Sequence, residues 1–226
     1  MEKALILTPF YKPNIGGAET FAEDLAREVS RKYEVHVCTI KHNNPILWQG
    51  IPFSKGFQLL YKLSKAYRKM KKYRYERIYA LGFIATLVCA LNKAKYSTVI
   101  LALYDFKKEN FLLKTILNAA DKVFVEGITG KNDILKTGMC EEKIVTFQHW
   151  CDQNIFSYIP KENELMKVLF VGRPLKIKGR HIIQQCERLT KGITYKYIDN
   201  TPTPNLPKHY QMADVVVVPS LYSEGF

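Results

Sequence analysis

Long apolar runs are missing from this chain of 226 residues. Nothing approaches the ~20 consecutive apolar residues that a helix needs to cross the hydrocarbon of a bilayer, so no membrane span is expected. The apolar start, Ala4 to Leu7, is cut short by Pro9 and is too brief for a secretory leader. The five cysteines, Cys38, Cys89, Cys140, Cys151 and Cys186, include no close pair of the kind used by zinc sites and redox motifs. Most stand in apolar runs, the usual place for structural thiols, and a reduced, cytosolic chain is expected. Tandem repeats and long low-complexity segments are absent as well. Acid is scarce: 21 Asp and Glu against 34 Lys and Arg leave a formal net charge of +13. That excess points to a polyanionic partner, whether nucleic acid, acidic membrane or phosphorylated substrate, without choosing among them.

What is present is ordinary globular material, 47% hydrophobic, enough for one large or two modest domains. Lys3 to Thr8 reads as a strand, and Gly16-Gly17 opens a helical segment from Ala18 to Lys32 whose apolar positions Phe21, Leu25 and Val29 keep helical spacing. A strand follows at Glu34 to Ile40 and a loop at Pro45 to Pro52. Further strands are expected at Arg77–Leu81, Thr98–Leu103, Lys122–Val125 and Lys143–Phe147, with helices at Ile84–Leu91, Glu109–Ala119 and Thr129–Lys136 between them. Such alternation predicts a parallel sheet covered on both faces, with ligands beyond the carboxyl ends of its strands. The glycine pair lacks the spacing of a dinucleotide fingerprint; it reads either as a helix-start turn or as a place where backbone approaches a ligand closely. Residues 1–150 thus form a first Rossmann-like domain, 151–166 a polar linker, and 167–226 the start of a second.

The segment from Lys55 to Arg77 has a different character. It holds nine Lys or Arg residues against the single acid Glu76. Leu59, Leu63, Ala66, Met70 and Tyr73 recur at helical spacing, while Lys62, Lys65, Arg68, Lys69 and Lys72 form a separate basic stripe. This is a basic amphipathic helix, suited to an acidic membrane surface; its alternative reading is a packed surface helix with lysines in water. No recognised nucleic-acid motif accompanies the charge, so nucleic acid is not expected as a partner.

The second domain opens on an apolar run, Val168 to Val171, which reads as a strand buried on both faces. It ends at Gly172-Arg173, and Lys178-Gly179 then leads into a helical run from His181 to Leu189. Strand, basic loop and helix N-terminus can together receive phosphate, and two cations can neutralise the diphosphate of a nucleotide-sugar. Strand Thr194–Ile198, a Pro-rich connector, a short helix near Met212 and a buried strand Val215–Val218 complete the expected elements.

In combination these segments resemble glycosyltransferase family 4. The resemblance rests on Gly-Gly-Ala-Glu at Gly16–Glu19, Val-Gly-Arg with a following Lys-Gly, and Ala213-Asp214 with four valines and Pro219-Ser220 leading to Glu224-Gly225-Phe226. Ala120-Asp121-Lys122-Val123, and Trp150-Cys151-Asp152 with Phe156, add to it. It implies an α/β GT-B architecture of two Rossmann-like domains facing a cleft. It also implies retaining transfer of a sugar from a nucleotide-sugar donor, without a cofactor or a metal; the leading expectation is transfer to a lipid-linked or saccharide acceptor, a membrane-associated lipid or polysaccharide precursor. Carried over by position, Gly16 and Gly17 approach the donor through backbone, Arg173 and Lys178 hold its diphosphate, and Glu224 sits near the sugar. Tyr104 stands where many relatives place a histidine near the sugar. The second glutamate of the family's pair falls past Phe226, and the second domain is expected to be incomplete. Peripheral attachment to the inner face of a membrane, through Lys62, Lys65, Arg68, Lys69 and Lys72, completes the leading expectation.

Two other readings stand beside it. One is a truncated, inactive module that binds membrane or a partner. The other is a nucleotide-sugar epimerase, against which the scattered histidines (His36, His42, His149, His181 and His209) speak, since they read as surface or loop positions.

Overall fold

The computed structural model describes residues 1–14, 16–40, 53–101 (backbone alone for 53–55), 111–151, 153–160, 163–199, 201 and 205–221. Tyr104, Glu224, Asp152 and the loop from Pro45 to Pro52 lie outside these residues. The chain divides into two compact units, one running from Met1 to His149 and one starting at Trp150.

In the first unit six parallel strands are arranged in the order β2-β1-β3-β4-β5-β6. They are β1 (Lys3–Leu7), β2 (Glu34–Cys38), β3 (Arg77–Leu81), β4 (Ser97–Ile100), β5 (Val123–Glu126) and β6 (Ile144–Phe147). The connecting helices are α1 (Gly17–Val29), α2 (Phe53–Met70), α3 (Gly82–Leu91), α4 (Phe111–Asn118) and α5 (Gly127–Leu135). Because side chains alternate along a strand, each strand feeds two apolar layers. Leu5, Leu7, Ala80, Ile100, Val123 and Val125 join Leu63, Val88, Leu113, Leu117 and Ile134 of α2–α5 in one layer. Ile6, Leu81 and Val99 join Phe21 and Ala22 of α1 in the other. A strand serving two layers must be apolar at successive positions, which is why Ala4 to Leu7 has no polar residue and no exposure.

Chain direction across the sheet reverses at β1, which pairs with β2 on one side and β3 on the other. Connections from β1 and β3 therefore diverge, leaving a crevice beyond their carboxyl ends where such sheets place ligands. The turn leaving β1 is tied by Thr8, whose Oγ1 accepts the Phe10 N–H at 2.9 Å and donates to the Phe10 carbonyl at 3.0 Å.

The second unit has a three-stranded parallel sheet in the order β8-β7-β9, formed by β7 (Met166–Val171), β8 (Ile193–Ile198) and β9 (Val215–Val216). Helices α6 (Arg180–Leu189) and α7 (Pro207–Met212) complete it. β7 lies in the centre, and its Val168, Leu169 and Phe170 are buried as their apolar run requires. The four-valine run differs from expectation. It pairs with β7 only over Val215–Val216 and forms an edge, with Val215, Val216 and Val218 exposed by 40%, 44% and 60%. An apolar run predicts a strand, but burial on both faces also needs a neighbour on each side, and among the described residues β9 has one only on the β7 side. Asp214 fixes where it starts: its carboxylate accepts the Lys167 N–H at 2.8 Å and the Asn163 amide at 2.7 Å.

Two further expectations change. Cys38 and Cys89 are buried, and burial pushes their thiols up to about 11 and about 12, but Cys140, Cys151 and Cys186 are exposed. Not every histidine is a loop residue either: His36 lies within β2, its Nδ1 2.8 Å from the Tyr75 hydroxyl. Among the described residues no helix is long and apolar enough to cross a membrane.

Candidate functional site

In the second unit the residues singled out by sequence converge on one loop. β7 ends at Val171, and the Gly172 N–H extends its ladder to the Ile198 carbonyl at 2.9 Å. Arg173 follows, and a single 3-10 turn, Lys176–Lys178, brings the chain to Gly179. Here φ is 73° and ψ is 11°, the left-handed region that glycine alone enters without cost. A β-carbon on Gly179 would also run into Pro219, lying 2.7 Å from its carbonyl carbon and 2.9 Å from its Cγ. The segment after β9 is laid across this loop: the Val217 N–H donates to the Leu169 carbonyl at 2.9 Å and the Leu221 N–H to that of Ile177 at 2.7 Å. Thus Val-Gly-Arg, Lys-Gly and Val-Val-Pro-Ser, far apart in sequence, meet at the carboxyl end of β7.

Four cations, Arg173, Lys176, Lys178 and Arg180, occupy eight successive positions there. The Arg173 guanidinium makes no hydrogen bond or ion pair among the described residues. Arg180, which sequence reasoning missed, opens α6. Its guanidinium lies 4.8 Å from the centre of the Tyr197 ring, and its Nη1 is 3.5 Å from Asp199. Tyr197 in turn donates its hydroxyl proton to Glu187 at 2.7 Å, and burial, with that hydrogen bond behind it, pushes the phenol up to about 12. Arg180 is therefore engaged in bracing α6 against β8. A loop of this charge at a helix N-terminus can hold an anion such as a diphosphate.

In the first unit, Gly16 and Gly17 form the entry to α1. Gly16 is extended (φ 172°, ψ 168°), and a β-carbon on it would collide with the carboxylate of Glu19, which is buried in the first turn of the helix. Gly17 has nothing within 4 Å of its β-carbon position, so open space adjoins its backbone.

A pair that sequence reasoning passed over lies at the carboxyl ends of β5 and β6. Glu126, the last residue of β5, is only 5% exposed, and its Oε1 is 2.8 Å from His149 Nδ1. The imidazole stands against Phe21 of α1, ring centres 5.7 Å apart, and Phe21 contacts Phe147 at 5.6 Å. Its hydrogen bond to Glu126 raises its proton affinity above that of an ordinary histidine, against the lowering effect of partial burial; the charges of Glu126 and Asp24 act in the same direction as the hydrogen bond. The available signal was a lone glutamate ending an apolar strand, where burial demands a partner.

On α2, Leu63 and Tyr67 are buried, and Leu59, Ala66 and Met70 pack partly against the same core. Lys62, Lys65, Arg68, Lys69 and Lys72 are all exposed, together with Phe57 and Tyr61. Tyr73, expected on the apolar stripe, is instead exposed, with Lys72 Nζ 5.0 Å from its ring centre. A groove of about 650 Å³ lies elsewhere, between the segment around Phe156 and α7. It borders Asp214, at the amino end of β9, and contains none of the residues above.

No family model matches the sequence, and no curated protein does. Solved structures do. Sucrose-phosphate synthase from Thermosynechococcus elongatus superposes with a TM-score of 0.78 at 16% identity, over 99% of this chain and 77% of that one. HepE from Anabaena, in complex with UDP and glucose, gives 0.68 at 16% identity, over 100% and 76%. A UDP-N-acetylglucosamine 2-epimerase gives 0.51 at 14% identity, over 98% and 69%. At such identities what is shared is the fold. The six-stranded and three-stranded parallel sheets, with these superpositions, give the chain an α/β fold of the GT-B type.

Proposed function

We propose that this chain is a retaining glycosyltransferase that moves a sugar from a nucleoside-diphosphate donor to a lipid-linked or saccharide acceptor at a membrane surface. The observation that carries the reading is the loop between β7 and α6, where Arg173 makes no hydrogen bond or ion pair among the described residues, Lys178 lies five residues on, and Gly179 lets the Pro219 segment close against it. As the bond between anomeric carbon and phosphate oxygen lengthens, negative charge collects on the departing diphosphate. Cations already in place stabilise that charge more than they stabilise the bound donor, and this difference is what accelerates transfer. In this reading the cations carry the charge and no metal is used. Gly16 and Gly17 admit the substrate through backbone, and Glu224 and Tyr104 act beside the sugar, as the resemblance implies. The exposed cations of α2 hold the enzyme to the cytoplasmic face of an acidic membrane.

The test is calorimetric titration with UDP, GDP, ADP and their sugar nucleotides, repeated with Arg173→Ala. UDP comes first because HepE was solved with it. One nucleotide is expected to bind saturably and to weaken at least about tenfold in the variant, since a hydrogen bond to a charged group contributes roughly 1.5–3 kcal/mol. No binding by any nucleotide would overturn the reading. Because an epimerase shares the fold, products must be identified: a new glycoside supports transfer, and an inverted free sugar nucleotide supports epimerisation.

A second reading, a non-catalytic module that binds membrane, is favoured by one observation. The cations Lys62, Lys65, Arg68, Lys69 and Lys72 of α2 are all exposed. Vesicle binding without nucleotide binding would select it.

A further inference from the structure

Helices α1 and α6 both follow a glycine turn, and the charge around the two starts is opposite. Before α6, Gly179 stands among Arg173, Lys176, Lys178 and Arg180, with no acid in that stretch. At the start of α1, Gly16 and Gly17 stand beside Glu19. The one cation from Pro9 to Thr20 is Lys12, whose Nζ lies 5.6 Å from the centre of the Tyr11 ring. The next turn of α1 adds two more acids, Glu23 and Asp24, the latter 2.6 Å from Arg27. We propose that the amino end of α1, with the Glu19 carboxylate, is a subsite for an uncharged sugar ring and turns phosphate away. The identification of that sugar as part of a saccharide acceptor rests on the transferase reading above.

Three observations carry this. The first is a buried acid. Glu19 is only 8% exposed, yet its carboxylate makes no hydrogen bond or ion pair among the described residues. Its carboxyl carbon is 3.4 Å from where a β-carbon on Gly16 would stand, so the group is turned back over the glycine entry. A glutamate can complement the helix dipole from the solvated surface, so the dipole does not account for the burial. A carboxylate taken out of water needs donors around it, and the hydroxyls of a sugar are donors.

The second is the set of donors beside that acid. The Thr20 N–H donates to the Gly16 carbonyl at 3.0 Å and begins the helical ladder. The N–H groups of Gly17, Ala18 and Glu19 precede it and have no acceptor within the helix. Gly17 has nothing within 4 Å of its β-carbon position, so space for a ligand adjoins these donors. Donors and a carboxylate side by side match a hydroxyl, which both gives and takes a hydrogen bond. A phosphate near neutral pH would meet Glu19 as a like charge, whereas the α6 loop offers it cations and no acid. The third is place. α1 leaves β1, the strand at which chain direction across the sheet reverses, so its amino end borders the crevice where open α/β sheets hold ligands.

The experiment is a ligand-observed NMR titration of the whole chain with methyl glucoside, methyl galactoside and methyl N-acetylglucosaminide, and with inorganic pyrophosphate, UDP, GDP and ADP. Wild type, Glu19→Gln and Gly17→Ala are compared, with melting temperatures recorded for each. At least one glycoside is expected to bind the wild type without nucleotide, and pyrophosphate is expected to leave it in place. Glu19→Gln keeps the size of the side chain and removes its charge. It is expected to weaken glycoside binding ~10-fold or more, because hydrogen bonds to a charged acceptor are roughly twice as strong as neutral ones, and to leave nucleotide binding unchanged. Gly17→Ala sets a methyl group in the ligand space and should weaken the glycoside as well; it decides if Glu19→Gln does not fold. Glycoside binding that neither substitution weakens, displacement of the glycoside by pyrophosphate, or no glycoside bound by the wild type overturns this proposal alone. A wild type that binds glycoside but none of the nucleotides overturns the transferase reading, and with it the identification of the sugar as the acceptor's, while supporting the subsite itself.

Discussion

The carbonyl of Pro219 fills the space that a β-carbon on Gly179 would need. Two turns of chain separated by about forty positions are thereby held in direct backbone contact, and the conformation of Gly179 (φ 73°) excludes other residues independently. Gly179→Ala is expected to cost about 1–2 kcal/mol for the left-handed backbone alone, and the displaced 217–221 segment adds to that. Urea denaturation followed in the second unit, with a nucleotide titration alongside, measures both effects. Unaltered stability together with unaltered binding would contradict this account of the loop.

The two glycines of the α1 entry are expected to behave differently. Alanine at Gly17 meets nothing within 4 Å and stands at the first position of a helix, so the melting temperature should hold or rise slightly. If substrate approaches that backbone, the same change weakens substrate binding without cost to the fold. Alanine at Gly16 instead displaces the Glu19 carboxylate, the far end of a flexible side chain, so a modest destabilisation is expected. Melting curves of Gly16→Ala, Glu19→Ala and the double variant test the coupling. A double variant as costly as the sum of the singles would show none.

How much of this was legible beforehand depended on whether a feature is local. The alternation of apolar strands with helices at 3.6-residue spacing exposed the parallel sheet of the first unit, because a strand that feeds two layers leaves no polar position at Ala4 to Leu7. The burial of Leu63 beneath an exposed basic stripe followed from the same periodicity. Arg173, Lys178 and Gly179 were visible as strand, loop and helix start, whereas the contact of Gly179 with Pro219 was not, since it joins segments whose proximity only the sheet order fixes. The same limit hid Glu126 and His149, which lie 23 positions apart and meet because β5 and β6 are neighbours. Val215 to Val218 failed in the opposite sense. Four valines specify a strand, but the number of neighbours it finds is a property of the whole sheet.

Charge and packing on α2 can be separated by substitution. Replacing Lys62, Lys65, Lys69 and Lys72 together by glutamine is expected to abolish sedimentation with anionic vesicles at physiological salt. Each removed cation near such a surface accounts for about 1 kcal/mol. All four are exposed, so the fold should be unaffected. Leu63→Ala, at a fully buried position of the same helix, should instead cost about 2–5 kcal/mol of stability. Retained vesicle binding in the quadruple variant would remove the membrane role of this helix.

The Glu126–His149 pair also ties stability to pH, and the direction follows from its geometry. Hydrogen bonding to Glu126 raises the folded-state proton affinity of His149 above its ordinary value of about 6.5. The folded protein therefore holds this proton more tightly than the unfolded chain. Stabilisation is fully present below about pH 6.5 and is lost as pH rises through the raised folded value. Glu126→Gln removes the charge that sustains the shift, so wild type and variant should differ most at about pH 5.5–6 and converge in mildly alkaline solution. The ring is 42% exposed and solvent screens the pair, so the difference should be small but of definite sign. Denaturant midpoints of the two proteins across that range provide the measurement. A gap that widens toward alkaline pH would show that the imidazole is held neutral in the fold, and the role assigned to the Glu126 carboxylate would be wrong.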